Sequence, residues 1–215
     1  MFKDLSNIIE IDASNFDSSC VTDMSYMFSN CNSLISVNLN NLNTSSVFDM
    51  NNMFQNCISL ISVNLNNFKT KSVNNMCYMF YYCKKLISLN LSSFDTSSVT
   101  NMVAMFFNCE SVSSLDLINF NTSLVEDMSY MFCDLYKLIS LNINKFDTSS
   151  VIRMNSMFQG CLLLTYLNLN NFDTSQVTDM IDMFYYCKSL ISLNINNFNT
   201  KCVRKMSICF IIANH

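Results

Sequence analysis

The sequence predicts an α/β repeat solenoid in which each 26-residue coil contributes one short strand and one short helix. Three observations predict it. The phrase VTDMSYMFSNC at 21–31, rich in Met, Phe and Cys, returns as VTDMIDMFYYC at 177–187. Its valines, methionines and phenylalanines recur 26 residues apart along the chain. Within each repeat the apolar period then changes from helical to strand-like.

The spacing is strict. Val21, Val47 and their successors to Val203 keep it, as do Met24 to Met206 and Phe28 to Phe210. No insertion breaks the register, so residues 1–215 read as a single array of seven to eight coils without a linker. The array starts and ends in the middle of a repeat, because MFKDLSNIIEID aligns with 27–38 and MSICFIIANH stops before its strand.

The helix is read from Val21, Met24, Met27, Phe28 and Cys31, which at 100° per residue share one stripe roughly 120° wide. Asn30, Asn56, Asn108 and Gly160 share the column just after each Met-Phe pair, where a left-handed cap would end the helix. Tyr82 and Tyr186 occupy that column without fitting it. The strand is read from LISVNLNN at 34–41, where Val37 and Leu39 alternate with Ser36, Asn38 and Asn40. A helix of about ten residues and a strand of four to six cannot bury their apolar faces alone. Stacked coils can, which is why the same Met and Phe return in every copy.

The strand segment repeats as L-x-x-L-x-L, for example Leu86-Ile-Ser-Leu89-Asn-Leu91 and Leu190-Ile-Ser-Leu193-Asn-Ile195. With the continuation FDTSSVTNM at 94–102 and MFFNC at 105–109, it resembles the BspA-like leucine-rich repeat surface proteins, over essentially the whole chain. That resemblance implies a right-handed solenoid of leucine-rich-repeat type. It also implies a cell-surface or extracellular adhesin or interaction protein. Leu135 replaces the column cysteine in one coil, and the opening residues do not read as an export signal.

Composition excludes several classes. A net charge of −4, with no Lys/Arg cluster, offers nothing to nucleic acid phosphates. No run approaches the roughly 20 apolar residues of a membrane span. Histidine occurs once, at His215, and a catalytic carboxylate pair should be unique rather than copied along an array. The reading is therefore a non-enzymatic binding module without cofactor or metal.

The other columns take structural readings. Cys31, Cys57, Cys83, Cys109, Cys161 and Cys187 lack C-x-x-C spacing and histidine partners, so they read as buried free thiols. Coils diverging to about a helix diameter, roughly 10 Å, would keep them from pairing. Thr44 to Thr200, preceded by Ser18, read as helix caps and coil-to-coil hydrogen bonds. The columns Asp17, Asp95, Asp147, Asp173 and Asp23, Asp49, Asp127, Asp179 complement helix dipoles. Their interruption by Lys69 and Arg153 opposes repeated calcium sites.

Tyrosines are the candidate anchors for a protein or glycan partner. Tyr26, Tyr78 and Tyr130 fall in one outward column of alternate coils, and Tyr81, Tyr82, Tyr185 and Tyr186 gather at helix ends beside Phe107. On the strand face Tyr166 breaks a serine column, Asp116 an asparagine column, and Ile118 falls in the next outward column. Two alternatives stand beside a surface module: an intracellular protein–protein scaffold and, more remotely, an ice-binding solenoid built on the threonine ladder. Uncapped ends, with Phe210, Ile211 and Ile212 in the last coil, point to end-to-end self-association or continuation in a longer array.

Overall fold

The computed structural model describes residues 1–207. Coils stack in register 26 residues apart, and the fold is a repeat solenoid. Six strands of three residues form: β1 (Glu10–Asp12), β2 (Ser36–Asn38), β3 (Ser114–Asp116), β4 (Ser140–Asn142), β5 (Tyr166–Asn168) and β6 (Ser192–Asn194). They pair in parallel as β1–β2, β3–β4 and β5–β6, with Leu115 opposite Leu141 and Leu167 opposite Leu193. The strands are shorter than the four to six residues expected, and the equivalent segments 62–64 and 88–90 carry none.

The expected helix does not form; among the described residues there is none. The backbone hydrogen bonds show why. From Met24 to Cys31, alternate N–H groups leave the coil: those of Met24, Tyr26, Phe28 and Asn30 donate to the carbonyls of Asp49, Asn51, Met53 and Gln55. The groups between stay local, with Met27 donating to Met24, Ser29 to Tyr26 and Cys31 to Phe28. The Ser25 N–H donates to Asp23 Oδ1 at 2.7 Å. Every donor in the segment is thus satisfied. A one-coil helix would leave its first four N–H groups orphaned and give nothing to its neighbour.

These turns need left-handed backbone at two positions per coil. Tyr26 and Asn30 have φ of 56° and 61°, and their equivalents repeat it, among them Asn52, Ala104, Ser156 and Asp182 in the first column. In the turns closed by Met27 and by Cys31 the third residue, Tyr26 or Asn30, carries the positive φ that a type II turn demands. Asn, Asp and Gly adopt it cheaply, whereas tyrosine costs about 1–2 kcal/mol. Tyr82 and Tyr186 nevertheless sit at φ 60°, held by bonds from their N–H groups or from those of the next residues.

The unbroken ladder therefore runs down the turn side. Parallel bridges link Asp23, Asp49, Asn75, Asn101, Asp127, Arg153, Asp179 and Lys205 in succession. Coils do not diverge there: Phe2, Phe28, Phe54, Phe80, Phe106, Phe132, Phe158 and Phe184 stack with centroids 5.3–5.9 Å apart. This spacing replaces the 10 Å expected of packed helices. One core cluster joins these rings to the inward Val, Met, Leu and Cys of the described coils.

Polar columns lock one coil to the next. Thr122 Oγ1 donates to the Asp147 carbonyl at 2.7 Å and accepts the Asp147 N–H at 2.8 Å. Thr70, Thr96, Thr148 and Thr174 make the same donation while buried, so the column stitches coils and caps no helix. A buried ladder also cannot template surface water, which removes the ground for an ice-binding face. The acidic columns serve turns in place of helix dipoles. Asp95 accepts from the hydroxyl and N–H of Ser97, which hold its carboxyl below the ordinary range.

Candidate functional site

Buried thiols account for the cysteine column. Cys57, Cys83 and Cys109 each donate at 3.1 Å to the carbonyl of Phe28, Phe54 and Phe80, one coil back. Burial pushes the Cys187 thiol up to about 12 and the Cys77 thiol up to about 11. All ten described cysteines are unbridged, and only Cys20 and Cys202 among them are exposed. Alkylation at pH 8 of the native protein is expected to modify these two within minutes and the column thiols only on unfolding. Rapid labelling of the column, or disulfides across it in a mass map, would contradict this packing. Among the described residues no group of three or more His, Cys, Asp or Glu is placed to hold a metal ion.

The predicted tyrosines separate into four places. Tyr78, Tyr81, Tyr82 and Tyr130 converge on Phe107 into one patch spanning three coils. Tyr81 stacks on Phe107 at 4.9 Å and Tyr82 at 5.5 Å, while Tyr130 meets Phe107 edge-on at 6.0 Å. Tyr78 and Tyr82 flank Tyr81 at 5.4 and 4.7 Å. The buried Ala104 occupies the column between Tyr78 and Tyr130. Tyr130 is exposed, the others half-buried, and burial pushes the Tyr78 and Tyr81 phenols up.

Charge rims this patch. The Lys84 ammonium lies 5.3 Å from the Tyr82 ring and pairs with Glu110 at 2.7 Å. Nearby, the half-buried Asp134 carboxyl is pushed up by burial beside Cys133 and Tyr136. Lys84, Glu110 and Tyr136 were not anticipated from the sequence: they share one column, whose other members are Ser6, Asn32, Ile58, Leu162 and Lys188, so no consistent residue marks it.

The remaining tyrosines lie apart. Tyr185 and Tyr186 contact each other at 4.4 Å, with Lys188 over Tyr186. Tyr26 lies under Lys3. Tyr166 opens β5 on the strand side and is 59% exposed. A hollow of about 240 Å³ lies between coils near Asn90, Asp116, Ile118 and Phe120. It falls where Asp116 interrupts the asparagine column: Asn142 donates to Asp116 at 2.9 Å, but a carboxylate has no amide to pass on.

The family described as "Mycoplasma protein of unknown function, DUF285" matches residues 1–115 and 109–215. The chain belongs to this DUF285 family. No curated protein matches it. Among solved structures, this DUF285 chain is similar to a leucine-rich cell surface protein of Faecalibacterium prausnitzii, with TM-score 0.56, 21% identity, 86% of this chain and 46% of that one. A leucine-rich repeat protein of Eubacterium ventriosum gives TM-score 0.57 and 17% identity over 88% of this chain and 47% of that one. The leucine-rich repeat protein of T. pallidum gives 0.50 and 19% over 76% and 68%. The chain spans about half the length of the first two. At these identities the likeness establishes the fold: a leucine-rich-repeat solenoid.

Proposed function

We propose that this chain is a non-enzymatic binding module of BspA-like surface type, contacting a protein or glycan of another cell or matrix. The observation that carries it is the patch of Tyr78, Tyr81, Tyr82, Phe107 and Tyr130. Rigid rings supply contact area at small entropic cost, and the Lys84–Glu110 pair beside them offers polar contacts at the rim. Tyr82 is also held in left-handed backbone where other coils use Asn, so the ring is kept there against a local preference. An intracellular scaffold is the second reading, favoured by ten described cysteines that are all unbridged.

The test exchanges tyrosines for residues that other coils carry in the same columns. Tyr81→Gln, Tyr82→Asn, Tyr185→Gln and Tyr186→Asn copy Gln55, Asn56, Gln159 and Asn30 and leave the turns intact. Against immobilised matrix proteins and glycans, the combined variant is expected to lose about thirty-fold in affinity for any bound component, the scale of a hot-spot residue. The strand-face variant Tyr166→Ser with Ile118→Ser is expected to lose less than about threefold on the same scale. Equal losses, or no binding by the parent protein, would contradict the proposal.

A further inference from the structure

The first x of the L-x-x-L-x-L motif forms a column of its own: Ile9, Ile35, Ile61, Ile87, Ile139 and Ile191. All six are exposed, between 42% and 86%. Their backbones are stitched together, with Ile35 donating to Ile9, Ile61 to Ile35 and Ile87 to Ile61. The side chains therefore stand in line on the strand side, opposite the tyrosine patch. Such a row of β-branched apolar groups gains nothing from water. We propose that this isoleucine column is a self-association face on which a second copy of the chain packs antiparallel, about a two-fold axis between the fourth and fifth coils.

Three features select a second copy. The first is register, because only a partner with the same coil spacing meets every isoleucine. The second is the filling of gaps. Ser113 and Thr165 interrupt the column, and antiparallel pairing sets them opposite Ile87 and Ile35 of the second copy, so that no two gaps coincide. The third is charge. The chain carries −4, yet positions 33–39 of the eight coils are nearly balanced, with Glu10, Asp12 and Asp116 against Lys85 and Lys137, and the isoleucine column itself is uncharged. The two acidic columns lie elsewhere on the coil.

The size is adequate. Eight coils at about 4.8 Å make a ribbon roughly 34 Å long. A stable interface buries about 800 Å² per partner. A ribbon of that length reaches this area at a width of about 24 Å, roughly seven extended residues at 3.3 Å each, which corresponds to positions 33–39 of each coil.

The test is sedimentation of the parent protein from about 1 to 100 µM, the range in which moderate interfaces assemble, beside the triple variant Ile35→Lys, Ile61→Lys, Ile87→Lys. The parent is expected to approach twice the monomer mass and stop, since a two-fold interface closes on itself. The variant is expected to remain monomeric with an unchanged circular dichroism spectrum, because the replaced side chains are exposed. A parent that stays monomeric at 100 µM, a dimer that survives the lysines, or a mass that keeps growing as in end-to-end stacking would overturn the proposal. The combined Tyr81, Tyr82, Tyr185 and Tyr186 variant is expected to dimerise normally, so failure of this face and failure of the partner-binding patch are read separately.

Discussion

Phe106→Ala is expected to lower stability by about 3–5 kcal/mol, the range for emptying a fully buried aromatic site. Phe106 is inaccessible to solvent and lies between Phe80 at 5.8 Å and Phe132 at 5.9 Å, nearly parallel to both. Its removal deletes transfer energy and two ring contacts of about 0.5–1.5 kcal/mol each. The void cannot close, because the flanking coils are held at fixed spacing by the ladder beside it. The adjacent Phe107 is half-buried among surface tyrosines, outside the stacked core rings, so Phe107→Ala is expected to cost less than half as much. Urea denaturation of both variants checks this, and equal losses would mean that the phenylalanine stack is not the structural spine.

Gly160→Val is expected to cost about 2–3 kcal/mol, the sum of a left-handed β-branched residue and a close contact. Gly160 has φ +71°, and a Cβ there would fall on Asp134 Oδ1 and within 3.2 Å of Asp134 Cα. The informative control is Gly160→Asn. In the same column Asn56 Nδ2 donates to Asn30 Oδ1 at 2.7 Å, and Asn30 Nδ2 to Asp4 Oδ1 at 2.7 Å. An asparagine at 160 would offer the Asp134 carboxylate such a donor once that side chain rotates. Its cost is expected to stay within about 1 kcal/mol, since asparagine tolerates this backbone. A valine variant as stable as the parent would contradict the turn geometry.

Much of this fold is legible in the sequence, and the misreading has a single cause. The 26-residue register, the inward columns and the stacking of coils follow from Val, Met and Phe alone. The helix does not, because two successive type II turns place Val21, Met24, Met27, Phe28 and Cys31 inward much as a helix would. The signal that separates them is the pair of columns four residues apart, at Tyr26 and Asn30. The second is mostly Asn, Asp and Gly, and the first holds Asn52, Ser156 and Asp182 beside its tyrosines; a helix could end at one of them but could not pass through both. The Asp or Asn of the Asp23 column, whose Oδ1 takes the N–H two residues on, marks the same turn.

The candidate site was legible as residues and illegible as a surface. Tyr78 and Tyr130 recur in one column and Tyr81 and Tyr82 interrupt two others, but their meeting at Phe107 depends on coils about 5 Å apart, a strand-like spacing. Helix-like spacing would have kept them separate. The isoleucine column is illegible for a different reason: it sits inside a motif whose leucines face the core, and the unmarked position beside them takes the outward direction.

Far-UV circular dichroism of the purified chain tests the central claim most directly, that each coil closes through turns bonded to its neighbours and contains no helix. The account predicts a β- and turn-dominated spectrum without the paired minima near 208 and 222 nm. It also predicts slow amide exchange at Tyr26, Phe28, Asn30 and their equivalents, whose hydrogens are held by the next coil. Strong double minima, as from a ten-residue helix in every coil, would contradict it.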